Sequence, residues 1–277
     1  MNRNSLFVFN AKKFIPISAA FLFSCALIMP QRVEAVGVNL ADGNSQAHVD
    51  LSSDAGMDYW SVDGQNQLVK QWFWYRVGSG LASPINTIPL SSVTTVGLND
   101  VVATYANGSF SLSVHYLLSG GSAGSGTADI QESISIHNST GSALDFHFYQ
   151  YSDFDLLGTG GDSVTVGNDF AVQTKGPTQI AEAVNSPSAS HHEGALFNST
   201  LNRLNTVADL NLNDSDSAGP GNVTWALQWD ASIGGGQDFD IFKDKLLSIT
   251  PIPEPSALAL IALGLGGFGV LKRRQKV

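Results

Sequence analysis

From residue 109 to residue 118 the chain alternates with a period of two. Phe110, Leu112, Val114, Tyr116 and Leu118 are apolar, and Ser109, Ser111, Ser113 and His115 stand between them. Such alternation suits a strand with one face in a core and one in water; helical apolar residues recur every three or four positions instead. The pattern returns at Ile130, Ile134 and Ile136, with Glu132 breaking the run, then at Leu144, Phe146 and Phe148, and at Val223, Trp225, Leu227 and Trp229. Gln67 to Val77, with Trp72, Phe73, Trp74 and Tyr75, reads as a strand buried on much of both faces. Strands at spacings of roughly ten residues, separated by Gly, Asn, Ser and Asp turns, predict an all-β fold. The expected architecture is a single β-sandwich domain, jelly-roll-like, over residues 36–250. Ile130–Ile136 and Leu144–Phe148 are expected to form a hairpin around Asn138–Ser142. Ser119–Gly126 is expected as a longer hairpin loop and Asn185–Glu193 as a surface loop, while short helices fit only at Glu182–Val184 and Ala195–Leu204.

Both ends have a different character. Residues 1–35 read as a signal peptide, with Arg3, Lys12 and Lys13 before an apolar stretch from Phe14 to Met29. Val33-Glu34-Ala35 makes a small-x-small cleavage site that leaves Val36 as the first residue of the body. The one cysteine, Cys25, lies inside this segment, so the stability of the body is independent of redox state. At the other end Pro253-Glu254-Pro255 precedes an apolar run, Ser256–Leu271, and then Lys272, Arg273 and Arg274. The run would be roughly 24 Å long as a helix. As a transmembrane helix over 256–271 it needs snorkelling flanks or a thinned bilayer, because the hydrocarbon core is about 30 Å thick. The basic flank stays cytoplasmic by the positive-inside rule, which places the body outside.

This three-part end resembles the PEP-CTERM sorting signal, and the resemblance covers residues 251–277. It implies an exported protein of a Gram-negative, exopolysaccharide-making bacterium. It also implies a processing partner, an exosortase, which is a membrane cysteine-type transpeptidase or protease. By that resemblance Pro253, Glu254 and Pro255 are recognition residues with processing at or near them, and Lys272, Arg273 and Arg274 form the basic stop segment. Three stretches of the body, Asp63–Leu68 with Gln71–Arg76, Tyr151–Asp155 and Phe242–Lys245, resemble other proteins with this tail, and no activity comes with them.

The formal charge of −10 understates the acidity of the body. Between residues 36 and 271 only Lys70, Arg76, Lys175, Arg203, Lys243 and Lys245 are basic, against 23 acidic residues, a formal charge of −17. That field repels nucleic acid and attracts cations. Candidate calcium ligands are Asp214 and Asp216, in a stretch resembling the first half of an EF-hand loop, and Asp153 and Asp155, which share one face of an extended chain. Asp238 and Asp240 share a face in the same way. Trp225 stands where the EF-hand loop needs its bidentate Glu, and the competing reading of all these groups is solvated turn acids. His191-His192-Glu193 offers zinc ligands only if a loop makes the two histidines converge, since strand neighbours point to opposite faces. Trp60, Trp72, Trp74, Trp225 and Trp229 read as core from their alternating positions, with a sugar-stacking platform as the other reading. No body cysteine or His-Glu-x-x-His helix is present. The expected function is an exported cell-surface or extracellular-matrix protein with no catalytic activity and no cofactor. A carbohydrate-binding module for exopolysaccharide, assisted by calcium, is the second reading, and a secreted hydrolase using paired acids is the third.

Overall fold

A computed structural model describes residues 36–249. The signal peptide with Ala35, the sorting residues Pro253, Glu254 and Pro255, the 256–271 segment and the tail Lys272, Arg273 and Arg274 lie outside the described residues. Among the described residues no helix is long and apolar enough to cross a membrane.

In chain order the first strands are β1 (Gly37–Asp42), β2 (Ser45–Asp50), β3 (Gly56–Val62), β4 (Gln65–Asn66), β5 (Leu68–Val77) and β6 (Ser83–Pro84). Then come β7 (Leu90–Val96), β8 (Asp100–Ala106), β9 (Phe110–Gly120), β10 (Thr127–Asn138), β11 (Leu144–Phe154) and β12 (Asp162–Val166). The last are β13 (Phe170–Lys175), β14 (Thr178–Ser186), β15 (His191–Leu196), β16 (Ser217–Gly221), β17 (Val223–Ile233) and β18 (Asp238–Ser248). One helix, α1 (Ser199–Thr206), interrupts them. The first sheet runs β1-β2-β3-β5-β11-β17-β15, with β4 on β3 and β6 on β5. The second runs β16-β12-β13-β14-β18-β10-β9-β8-β7. The fold is an all-β sandwich of these two sheets.

Period-2 patterning is realised strand by strand. Phe110, Leu112, Val114, Tyr116 and Leu118 all point inward and are buried. The β9–β10 hairpin closes through residues 121–126, as expected. The second expected hairpin does not form: β10 pairs with β9 and β18, whereas β11 pairs with β5 and β17 in the other sheet. Asn138 makes this corner. Its side-chain amide donates to the carbonyls of Ser142, Ile233 and Gly234, and its Oδ1 accepts from the Thr140 amide. Alternation gives each strand an apolar face, but two such faces can meet across a sandwich as well as lie side by side. Glu182–Val184, expected as helical, is strand within β14. The second expected helix is shorter than its window, because Ala195 and Leu196 complete β15 and α1 begins only after Asn198. The expected surface loop Asn185–Glu193 shrinks to residues 187–190, and His191–Glu193 are strand residues.

Aromatic rings fill the space between the sheets. Phe110 of the second sheet meets Phe146 of the first edge-on at 5.1 Å, and Phe73 stacks on Phe148 at 5.3 Å. All five tryptophans are at most 1% exposed, with Trp225 and Trp229 between the sheets and Trp72 and Trp74 beneath connecting segments on the outer side, so none forms an exposed platform.

At the middle of this interior lies a charged group. Glu132 of β10, Lys243 and Lys245 of β18, and Glu182 of β14 occupy inward positions on three adjacent strands and are buried. Both lysines donate to Glu132, and each stands 3.6 Å from a Glu182 oxygen. The first sheet supplies two amides: Lys245 donates to Gln71 Oε1 at 2.9 Å, and Gln150 Nε2 donates to Glu182 at 2.8 Å. Lys243 also sits 5.1 Å above the Phe73 ring. Burial pushes the Glu132 carboxyl up, but the two lysines outweigh it and hold the group well below the usual range.

Two cations and two anions cancel, which is what makes their burial tolerable. Removing one member leaves an uncompensated charge. Lys245→Met is therefore expected to cost about 3–5 kcal/mol of unfolding free energy in urea titrations. A variant in which Lys243, Lys245, Glu132 and Glu182 are all replaced by apolar residues of similar volume should recover most of that loss. A Lys245→Met protein as stable as the parent would refute this view of the interior.

Candidate functional site

The outward face of the first sheet carries several aligned rows of polar side chains. Cross-strand register places Arg76 beside His147 and His147 beside Asp230. The next row is Trp74, Tyr149, Gln228 and His191, and a further row is Lys70, Asp153 and Thr224. These residues follow from alternation: their sequence neighbours Phe73, Phe148 and Trp229 fill the core, so every second side chain emerges here.

Histidine and aspartate alternate along one end of this face. His147 Nδ1 is 2.5 Å from Asp230 Oδ1, and His147 Nε2 is 3.5 Å from Asp145. His191 Nε2 is 3.6 Å from the other Asp230 oxygen, and its Nδ1 is 3.0 Å from Asp214. His192, on the opposite face of the strand, hydrogen-bonds Asp216 at 2.9 Å and Asn168 at 2.5 Å. A His–Asp pair of this kind is the usual equipment of general acid–base chemistry. All six histidines of the chain are paired with an aspartate; the other pairs are His48–Asp58, His115–Asp100 and His137–Asp238.

The chain covers much of this face with its own segments. Trp72 donates to Asn86 and Trp74 to Asn205, while the Tyr149 hydroxyl donates to the Leu210 carbonyl. Gln228 bonds the Asn211 side chain and the Leu212 amide. Glu193, buried, accepts from Thr200 and Arg203 and so ties α1 to β15.

The expected metal ligands are placed as follows. Asp214 and Asp216 face His191 and His192, and the neighbouring histidine holds Asp214 below the usual carboxylate range against the opposing effect of burial. The two histidines diverge, as adjacent strand residues must. Asp153 is buried with Oδ1 unpartnered, and Asp155, just beyond β11, accepts from Thr159. Asp238 and Asp240 stand on β18, Asp238 hydrogen-bonded to His137. Among the described residues no group of three or more His, Cys, Asp or Glu side chains is arranged to hold a metal ion. Arg76, His147 and Asp230 were not singled out by sequence; their only signal is the alternation that sends them to one face.

Solved structures share this fold. A bacterial glucoamylase complexed with acarbose matches at TM-score 0.55 and 13% identity, over 83% of this chain and 36% of that one. This chain thus spans about a third of the glucoamylase. A galactose mutarotase related enzyme from Lactobacillus acidophilus matches at TM-score 0.51 and 7% identity, over 78% of this chain and 98% of that one. A putative aldose 1-epimerase from Escherichia coli K12 matches at 0.50 and 8%, over 77% and 98%. At these identities the likeness is one of fold alone. No curated protein sequence matches this chain. Residues 251–274 match the PEP-CTERM protein-sorting motif. The chain carries that motif, which implies export to the cell envelope or surface and processing by an exosortase-type enzyme.

Burial, reinforced by Asp155 and Asp162, raises the Asp153 carboxyl to about 7, with Lys70 opposing. The folded state therefore holds a proton that the unfolded chain releases, so ionising Asp153 lowers stability as pH rises from about 4 to about 7. Asp153→Asn should raise Tm by roughly 3–6 °C at pH 7.5 and leave it unchanged near pH 4. Thermal unfolding from pH 4 to 8 checks this, and a shift independent of pH would contradict it.

Proposed function

We propose that this chain is a non-catalytic protein of the cell surface or the extracellular polysaccharide matrix. Its tail directs sorting, and the sandwich is what remains displayed outside. The carrying observation is the sorting motif at 251–274, directly after the last strand of an acidic, cysteine-free body. One feature favours the absence of catalysis: residues 205–212 lie over the Trp74, Tyr149 and Gln228 row of the polar face and bond to it.

A second reading, that the sandwich binds carbohydrate, is favoured by the shared fold with proteins named for aldose epimerisation and with a glucoamylase holding acarbose. Fold alone does not carry a ligand across at such identities.

Mass spectrometry of the protein from native cells tests the main reading. The mature C-terminus should fall at or near Pro253–Pro255, with the protein in the surface or matrix fraction, and deletion of 251–277 should release it to the medium. An intact C-terminus in protein confined to the inner membrane would overturn the proposal.

A further inference from the structure

On the outward face of the second sheet the ladder of β14 against β18 has one break. Between Val184 and Ser186 the register of β14 against β18 shifts, and Asn185 is left unpaired and exposed. A bulge bends the strand locally and re-aims its side chains, and bulges concentrate near binding sites. Beside it is an open cavity of about 190 Å³ lined by Gln131, Ser133, Asn185, Phe242 and Asp244 above the buried Glu132 and Lys243.

The lining is chemically mixed. Phe242 is 49% exposed, although its neighbours Ile241 and Lys243 are buried. An aromatic side chain about half exposed on a strand offers apolar surface to a ligand. Gln131 and Asn185 bring amides that both donate and accept, and Ser133 brings a hydroxyl. Asp244 also lines the cavity, and its Oδ1 is buried without a hydrogen-bond partner in the protein. Asp129, beside Asp244, is raised to about 7 by burial and by the Asp244 charge.

Size narrows the occupant. The cavity is several times the roughly 30 Å³ share of one water. It is smaller than the roughly 300–1,000 Å³ of sites that engulf a whole ligand. One ring of a longer molecule fits, with the remainder lying along the open sheet. There the exposed side of β9 and β10 presents the hydroxyls of Ser111, Ser113 and Ser135, with Asp240 of β18 beside Ser135. The body's formal charge of −17 disfavours an acidic polymer.

We propose that this cavity is a saccharide subsite that takes one unit of a neutral polysaccharide. The apolar face of the sugar lies on Phe242, and its hydroxyls bond Asp244, Gln131, Ser133 and Asn185. The inference rests on the carbohydrate-binding reading of the sandwich and gives it a place. It is separate from the covered face of the first sheet, since it lies on the opposite outer surface.

The test measures binding of the processed protein, purified from native cells, to a neutral β-glucan, a neutral galactan and alginate. Affinity electrophoresis and calorimetry supply the affinities. The wild type should bind at least one neutral polymer and leave alginate unbound. Phe242→Ala and Asn185→Ala should each weaken that binding, the former by about tenfold or more, with Tm unchanged because both residues are exposed. Leu98→Ala, 74% exposed and away from the cavity, should bind as wild type. Binding to neither neutral polymer, binding to alginate alone, or full binding by both cavity variants would each overturn the proposal. Cell fractionation of Phe242→Ala separates the two claims. The tail should still deliver it to the surface, so failure of delivery in the wild type counts against the sorting reading and failure of glycan binding against the subsite.

Discussion

Four charged side chains at the centre of the sandwich constrain the rest of it. Glu132, Glu182, Lys243 and Lys245 can be buried only if they stay together, because any one of them alone in that interior would cost several kcal/mol. Keeping them together fixes β14, β18 and β10 as neighbours in one register, since a slip by one residue would turn every one of these groups to the other face. The amides of Gln71 and Gln150 then fix how the first sheet lies on the second. Apolar packing alone would tolerate sliding of one sheet over the other. Directional bonds from charged groups tolerate much less, and this is the sense in which a buried ionic group confers specificity more than stability.

The aromatic layer complements this arrangement. Trp225 and Phe154 stack in parallel at 6.3 Å, and Phe110 reaches across from the second sheet to Tyr75 and Phe146. A body without cysteines or a structural metal cluster among its described residues relies on area, and large rings supply it at low entropic cost. The polar atoms those rings carry are met by the connecting segments, so Trp72, Trp74 and Tyr149 draw residues 86, 205 and 210 down over the first sheet. The resulting cover, rather than a lack of reactive side chains, distinguishes this face from an open cleft.

Much of this could be read from the chain, in proportion to how local each signal is. Alternation about Phe110–Leu118 and Val223–Trp229 reveals strands and their buried sides, because both are decided within one strand. Which strands adjoin is decided elsewhere, and so the β10–β11 corner reads like a hairpin. Glu132 does show in sequence as a charge on an apolar parity, and Lys243 and Lys245 repeat the oddity. Their pairing across more than a hundred residues leaves no local trace. The same holds for the histidines: His137 and Asp238 lie 101 positions apart, and nothing near either one announces the other. His191-His192-Glu193 looks like a loop motif, whereas its polarity is explained by three separate partners reached from three directions.

Lys243 and Lys245 belong to β18, which has β14 on one side and β10 on the other and ends at Ser248, three positions before the sorting motif begins. The sorting motif thus follows closely on an interior strand of a sheet rather than on an edge strand. During export the cationic half of the core is the last part of the sandwich to clear the membrane, and until it arrives Glu132 and Glu182 have no lysine partners. The sandwich can close only once β18, the last strand before the sorting motif, has arrived.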